Sequence, residues 1–274
     1  MIARMGKMRF VLCASLILVV CAAIVVAAIG LNLPQATGKT VKKDGKMTID
    51  CSNMSEGYIM VKGKKSNKRM KLQIATSGAK LNYDINSNGE YEVFPLQFGN
   101  GKYQVSLFEN ASGKKYSKEG SVKLSVKMSN ELSCFLYPNQ YVSYDENTAC
   151  VVYALEMCKD MTDQADIYKA VCNYVTSNFH YDFIKSVTVK AGQLPQIDEC
   201  WNSKMGICQD LSAMTCAMLR CQGIPARLMI GTVGSNTYHA WVVAVVNGEE
   251  RFFDPTAELN ASSKTETYTT ERYY

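Results

Sequence analysis

"GICQDLSAMTCAMLRCQGIPARL", residues 206–228, carries cysteines at 208, 216 and 221, and the state of the first decides how the chain is read. Ile207, Leu211, Met214 and Met218 recur at spacings of four, three and four, the stripe of a helix that buries one face. Gly223 supplies the left-handed residue that ends such a helix, and Pro225 follows it. The helix is therefore expected to begin near Cys208, just after Gly206. A thiol at that position faces unpaired N–H groups and the positive end of the helix dipole, which favour the thiolate. The same N–H groups are suited to hold an oxyanion. Gly206 is expected to leave room for a substrate backbone. Cys216 and Cys221 lie farther along the helix and read as buried thiols, the common state of a free cysteine.

A cysteine nucleophile needs a base, and the chain has two histidines, His180 and His239. His239 opens the run His-Ala-Trp-Val-Val-Ala-Val-Val, a buried strand that meets Asn247-Gly248, a strong hairpin signal. With a two-residue loop, Val246 faces Glu249 and Trp241 faces Asp254. His239 shares a face with Trp241, so it lies diagonally across from Asp254, within reach of a carboxylate. A three-residue loop would put the two on opposite faces. The register thus predicts a thiol, an imidazole and an orienting acid, the cysteine form of the catalytic triad, with His180 a bystander or a cleft-wall residue.

Gly-Ile-Cys-Gln-Asp at 206–210, His-Ala-Trp at 239–241 and Asp-Pro-Thr at 254–256 resemble the three core motifs of the transglutaminase-like superfamily. The resemblance covers about residues 173–256. With the "FLYPNQYV" connector at 135–142 and the elements before it, the layout is similar to a bacterial membrane-anchored surface subgroup. The resemblance implies a papain-like fold with Cys208 as nucleophile, His239 as base and Asp254 as orienter. It implies thioester chemistry on peptide or glutamine amides. Gln209 and Leu211 stand where many bacterial members carry aromatic residues. The large eukaryotic enzymes have an upstream tryptophan that stabilises the oxyanion; here the candidates for that place or for the cleft wall are Tyr181 and Trp201. No acidic cluster resembles the calcium sites of the animal enzymes, so no metal or other cofactor is expected.

Upstream, Phe10–Gly30 is twenty-one residues without a charge behind a short basic head. That length spans a hydrocarbon core, so residues 1–30 are expected to be a cytoplasmic head and transmembrane anchor. Residues 31–45, with Pro34, Gly38 and Gly45, read as a linker. Residues 46–128 alternate with period two, as in Met70, Leu72 and Ile74 or Tyr103, Val105 and Leu107, and turn signals at Asn88-Gly89, Asn100-Gly101 and Ser112-Gly113 separate the runs. About seven short strands of this kind suggest an immunoglobulin-like β-sandwich. From residue 129 to 274 the period becomes helical, with helices expected over 145–159 and, capped by Thr162, over 163–179, and an irregular stretch over 185–204. The fold class expected is α+β: anchor, sandwich, then a papain-like transglutaminase core of helices packed on an antiparallel sheet.

Charge follows the same division. Residues 46–128 carry a net +7 and residues 129–274 a net −7. The acidic half argues against nucleic acid as a target, and the opposite charges suggest that the halves dock or that the basic half rests on anionic envelope polymers. No C-x-x-C occurs, which removes the zinc-ribbon and thioredoxin-like readings. Nine cysteines follow the apolar segment, an odd count that fits one unpaired thiol with room for bridges. The function expected is an extracellular, single-pass membrane-anchored cysteine enzyme acting on protein or peptide substrates, with hydrolysis favoured over transamidation. The alternative is a non-catalytic cell-surface adhesion or scaffold protein that retains the fold.

Overall fold

The computed structural model, which describes residues 31–260 and 267–274, mixes α and β, with strands first and helices later. The anchor expected over residues 10–30 lies outside the described residues. Among those described, no helix is long and apolar enough to cross a membrane.

The period-two alternation becomes sheet as expected. The first half holds eight strands: β1 (Val41–Asp44), β2 (Met47–Asp50), β3 (Tyr58–Gly63), β4 (Met70–Ala75), β5 (Lys80–Ile85), β6 (Glu92–Pro95), β7 (Gly101–Ser112) and β8 (Lys115–Val126). They form two antiparallel sheets, ordered β1-β2-β3-β6 and β5-β4-β7-β8. Met70, Leu72 and Ile74 of β4 are buried while Lys71, Gln73 and Ala75 between them are not, so one face meets the core. The two sheets face each other: Gly63 of β3 lies against the side chains of Met70 and Leu107. The linker expected over 31–45 is corrected at its end, because β1 pairs with β2 there. Val41-Lys42-Lys43-Asp44 is exposed throughout, so this edge strand has no hydrophobic pattern to announce it.

The second half supplies helices α1 (Ala149–Met157), α2 (Gln164–Asn178), α3 (Phe183–Thr188), α4 (Ile197–Ser203), α5 (Cys208–Arg220) and α6 (Pro255–Leu259). A short parallel pair, β9 (His180–Tyr181) and β10 (Met205–Gly206), precedes α5. Strands β11 (Ala226–Val233), β12 (Thr237–Val246), β13 (Glu249–Phe253) and β14 (Tyr268–Tyr273) form one antiparallel sheet ordered β13-β12-β11-β14. Two expectations are corrected here. The N-cap of α2 is Asp163 rather than Thr162, its carboxylate accepting the Ala165 and Asp166 N–H groups at 2.7 and 3.2 Å. The stretch 185–204 is not irregular but holds most of α3 and all of α4. Phe183, Ile184 and Val187 of α3 are solvent-exposed, so α3 shows no buried-face periodicity.

Helix α5 is the centre of this half. From Asp210 to Arg220 every residue is buried, because β12 and β11 cover one side and α1, α2 and α4 the others. Arg220 is 1% exposed, and among the described residues no side-chain carboxylate pairs with it; it donates to the backbone oxygens of Ala226, Tyr137 and Tyr274 at 2.9, 2.7 and 2.8 Å. These contacts join α5 to the connector, to the start of β11 and to the chain segment after β14.

Residues 33–274 form one compact unit. The halves meet through aromatic rings: Tyr83 of β5 packs edge-on against Tyr274 at 5.9 Å and Tyr141 at 6.5 Å, and Tyr141 stacks on Tyr274 at 3.6 Å. Gln140 Nε2 adds a hydrogen bond to Glu92 at 2.8 Å. The expected docking by opposite net charge is not how they meet. Among the described residues no ion pair joins residues 46–128 to 129–274, because the lysine excess of the first half sits on solvated strand faces.

Candidate active site

The sequence brings Cys208 to the first residue of α5, where its N–H and that of Gln209 precede the first intrahelical bonds, donated by Asp210 and Leu211 to the Ile207 carbonyl. All nine described cysteines are free thiols; Cys208 alone is not buried. The other eight are inert by environment. Burial pushes Cys216, Cys200, Cys150, Cys172 and Cys134 up to about 12, and raises Cys221, Cys51 and Cys158 as well.

The helix start is fixed by Asp210, which is fully buried. Its Oδ2 accepts the Ile207 N–H at 3.1 Å and its Oδ1 the Gln196 N–H at 2.9 Å, and Lys185 Nζ lies 3.0 Å from Oδ2. An acid three residues after the N-cap is the legible half of a capping box. The role expected for Gly206 is corrected. It is buried, and a Cβ there would stand 2.6 Å from the Cys200 sulfur, so the glycine admits α4 rather than a substrate.

His239 arrives from the sheet. Val246 pairs with Glu249, so the hairpin loop is two residues, and Asn247 and Gly248 take φ of 52° and 82°, the left-handed pair of a type I′ turn. Counting back along that register places His239 and Asp254 on one face. His239 Nε2 lies 2.6 Å from Asp254 Oδ2. This leaves Nδ1 clear of the carboxylate, and the Cys208 thiol, which lines the same cleft, lies near enough to act on the imidazole. Burial disfavours the imidazolium, but the bonds and charges of Asp254 and Cys208 prevail and raise the pKa to about 9. Burial likewise works against the Asp254 carboxylate, and His239 outweighs it, so its pKa is lowered.

Asp254 does a second task. Its Oδ1 accepts the Thr256 and Ala257 N–H groups at 2.9 and 3.0 Å, capping α6, while Oδ2 also accepts the Tyr268 hydroxyl at 2.7 Å. The Tyr268 ring packs edge-on against Trp241 at 5.0 Å. Sequence reading missed Tyr268, which comes back to the site only through the antiparallel return of β14 beside β11.

A cleft of about 630 Å³ opens over Cys208 and His239. One wall is residues 189–193, held by Gln209 Nε2 donating to the Gln193 carbonyl at 3.2 Å. The other carries Tyr141, Tyr238 and Arg272. Tyr181 lines the cleft because β9 pairs it with Gly206; burial, then the nearby Cys208, raises its pKa. Trp201 is not in the cleft. It lies among Tyr153, Tyr174 and Phe179, with Lys204 Nζ 3.7 Å above its ring, because α4 turns it toward α1 and α2. His180 is exposed and does not line the cleft. Among the described residues no three metal-ligating side chains come together.

Residues 152–253 match the family model of the transglutaminase-like superfamily, a span that includes Cys208 and His239 and stops one residue before Asp254. No curated protein matches the chain. Among solved structures it is similar to a candidate cysteine protease from Cytophaga hutchinsonii, with 12% identity and a TM-score of 0.40 over 86% of this chain and 90% of that one. It is also similar to a TGase (17% identity, TM-score 0.36, 47% of this chain and 35% of that one). Red sea bream transglutaminase aligns at 13% identity and a TM-score of 0.31, over 72% of this chain and 47% of that one. These scores lie below 0.5, so the weight rests on the family model and on the cleft.

Proposed function

The chain carries a domain of the transglutaminase-like superfamily over residues 152–253, and from that premise we propose that it is a cysteine acyl-transfer enzyme working through Cys208, His239 and Asp254. The observation that carries the reading is the line from the one unburied thiol through a buried imidazole to a buried carboxylate, opening on a cleft.

The chemistry follows from the geometry. The Cys208 thiolate attacks the carbonyl carbon of a peptide or glutamine amide, forming the C–S bond. The oxyanion that results is met by the first-turn N–H groups of α5, with Tyr181 beside it. The His239 imidazolium gives its proton to the amide nitrogen, the C–N bond breaks, and amine or ammonia leaves, with a thioester on Cys208. Water then attacks the thioester carbonyl, His239 takes its proton, the C–S bond breaks and the carboxylic acid leaves, which restores the Cys208 thiolate beside the His239 imidazolium. Asp254 holds the imidazole in place throughout, and Tyr268 and α6 hold Asp254. Hydrolysis is favoured over transamidation because Cys208 is partly solvent-exposed, so water reaches the thioester.

The proposal extends to place and partners. Residues 10–30 anchor the chain and leave the rest outside the cell, acting on protein or peptide substrates, with no nucleic acid. The first half is an immunoglobulin-like sandwich that positions the enzyme, and its basic faces rest on anionic envelope polymers. The support is the length of the apolar segment, the two facing antiparallel sheets and the lysine excess.

The test is a thiol-directed amide electrophile followed by mass mapping. Labelling is expected at Cys208 alone, abolished in Cys208→Ala and slowed at least about 10³-fold in His239→Gln. Native protein that leaves Cys208 unlabelled would point to an adhesion or scaffold role with the fold retained.

A further inference from the structure

Residues 129–274 carry a net −7, yet the described residues that line the cleft include Lys190, Arg272 and His239 and no carboxylate. Of the acids nearby, Glu271 pairs with Arg272 itself at 3.5 Å and the others are turned away from the cleft. Asp254 is taken by His239, Tyr268 and the start of α6. Asp210 is buried against Lys185, and Asp182 caps α3 through the Lys185 N–H. A cationic cleft in an acidic domain concentrates anions there.

On the footing of the acyl-transfer reading, we propose that the cleft selects acyl donors bearing a carboxylate one or two residues from the reacting amide, with Arg272 and Lys190 as the residues that recognise it. Arg272 sits on β14 opposite Ile230, which pairs in turn with Ala240 beside His239. Two strand spacings separate the backbones of Arg272 and Ala240 by about 10 Å; Arg272 shares the Ala240 face and His239 the other, and the cleft, which both line, is where they meet. Its guanidinium donates to the Tyr238 hydroxyl, and Glu271 lies 3.5 Å from Nη1. A fork of five N–H donors has capacity beyond these two contacts. Lys190 stands exposed on the opposite wall, within the segment that Gln209 ties to the start of α5. A donor in the cleft therefore lies between two cations that flank the thiol.

The test uses two alkylating agents of one size and different charge, iodoacetate and iodoacetamide, on the intact chain at low salt. The ratio of their rates at Cys208 is divided by the ratio for 2-mercaptoethanol, which removes intrinsic reactivity. Two cations at about 10 Å in a water-like dielectric raise the normalised ratio about fourfold. His239 attracts iodoacetate in every variant, so the comparison among variants isolates the cleft cations. Lys190→Gln, an exposed change that leaves the core untouched, should lower the ratio about twofold. Arg272→Gln should lower it at least as far, and Arg272→Lys should keep it. Peptide chloromethyl ketones with Glu beside the reactive carbon should label the native protein about fourfold faster than those with Gln, and about twofold faster in Arg272→Gln, where Lys190 remains. A ratio that falls in neither glutamine variant overturns the proposal. A Cys208 inert to both reagents defeats instead the acyl-transfer reading on which it rests.

Discussion

The two halves of the molecule are both built on four-stranded antiparallel sheets, but they spend their polar groups differently. In the first half, charge is matched near the surface. Lys46 bridges Glu109 and Glu119 at 2.7 and 3.1 Å, and Arg69 pairs with Asp84 on an exposed strand face. In the second half, the sheet carries His239 and Asp254 inside, where each changes the other's protonation and a cleft opens beside them. Sheet architecture does not distinguish scaffold from site here. A titratable pair that is buried on one side and reached from solvent on the other does.

Asp254→Asn breaks the comparison most sharply. Asparagine caps helices as well as aspartate, so α6 should hold, and the melting temperature below pH 9 should fall only by what the ion pair with His239 contributes. The imidazole loses its charged partner, and Cys208 labelling should slow by about 10²–10⁴. A large drop in melting temperature with labelling intact would show that Asp254 is there for the helix alone.

Arg220→Leu tests how firmly the second half is tied together. The carbonyls of Tyr137, Ala226 and Tyr274 lose their common donor at once, each inside the protein. The expected loss is about 3–5 kcal/mol, or roughly 10 °C in a thermal melt. An unchanged melt would mean that water replaces the guanidinium at little cost.

The pH dependence of stability separates the halves next. His239 has a folded pKa of about 9 against an ordinary value of 6.5, so its protonated form stabilises the fold fully below about 6.5 and the benefit is lost as pH rises through about 9. Asp254 works in the other direction: its lowered pKa stabilises the fold above the usual carboxylate range and the benefit is lost on acidification. Melting curves of native protein should therefore fall between pH 6.5 and 9, and His239→Gln should flatten that limb. A variant with the same alkaline slope would assign it to other groups.

The smallest effect is expected from Arg69→Ala. The pair with Asp84 is exposed at both ends, so stability should move by less than about 0.5 kcal/mol and the rate of Cys208 labelling should not change. A slowed rate would show that the first half shapes the cleft through Tyr83 and Tyr141.

What the sequence made legible was periodic or countable. The start of α5 followed from spacing, the face shared by His239 and Asp254 from a two-residue turn, and β4, β7 and β8 from alternation. What stayed hidden depends on chain segments distant in sequence. Tyr268 reaches Asp254 only because β14 returns beside β11, and nothing within 267–274 signals that neighbour. Trp201 was a candidate for the cleft because the resemblance implies an upstream tryptophan, but α4 points it at Tyr153 and Tyr174. Gly206 was read for what approaches from outside, and the close neighbour is the Cys200 sulfur. Strand β1 buries none of its residues, Val41 included, so only its pairing defines it.

Asp210 has a consequence for motion. One buried carboxylate holds the Ile207 amide at the head of α5, the Gln196 amide at the head of α4, and Lys185 on α3. Separating any of these segments means exposing an ion pair and two hydrogen bonds together, so the three move as one body on fast timescales. Opening and closing of the cleft is left to residues 189–193, which are largely exposed and joined to that body through Gln209. In hydrogen–deuterium exchange, the Gln196 and Ile207 amides should be slow and those of Ala191 and Gly192 fast. Cys208 thus stands on the still side of the cleft, across from the wall expected to exchange fastest.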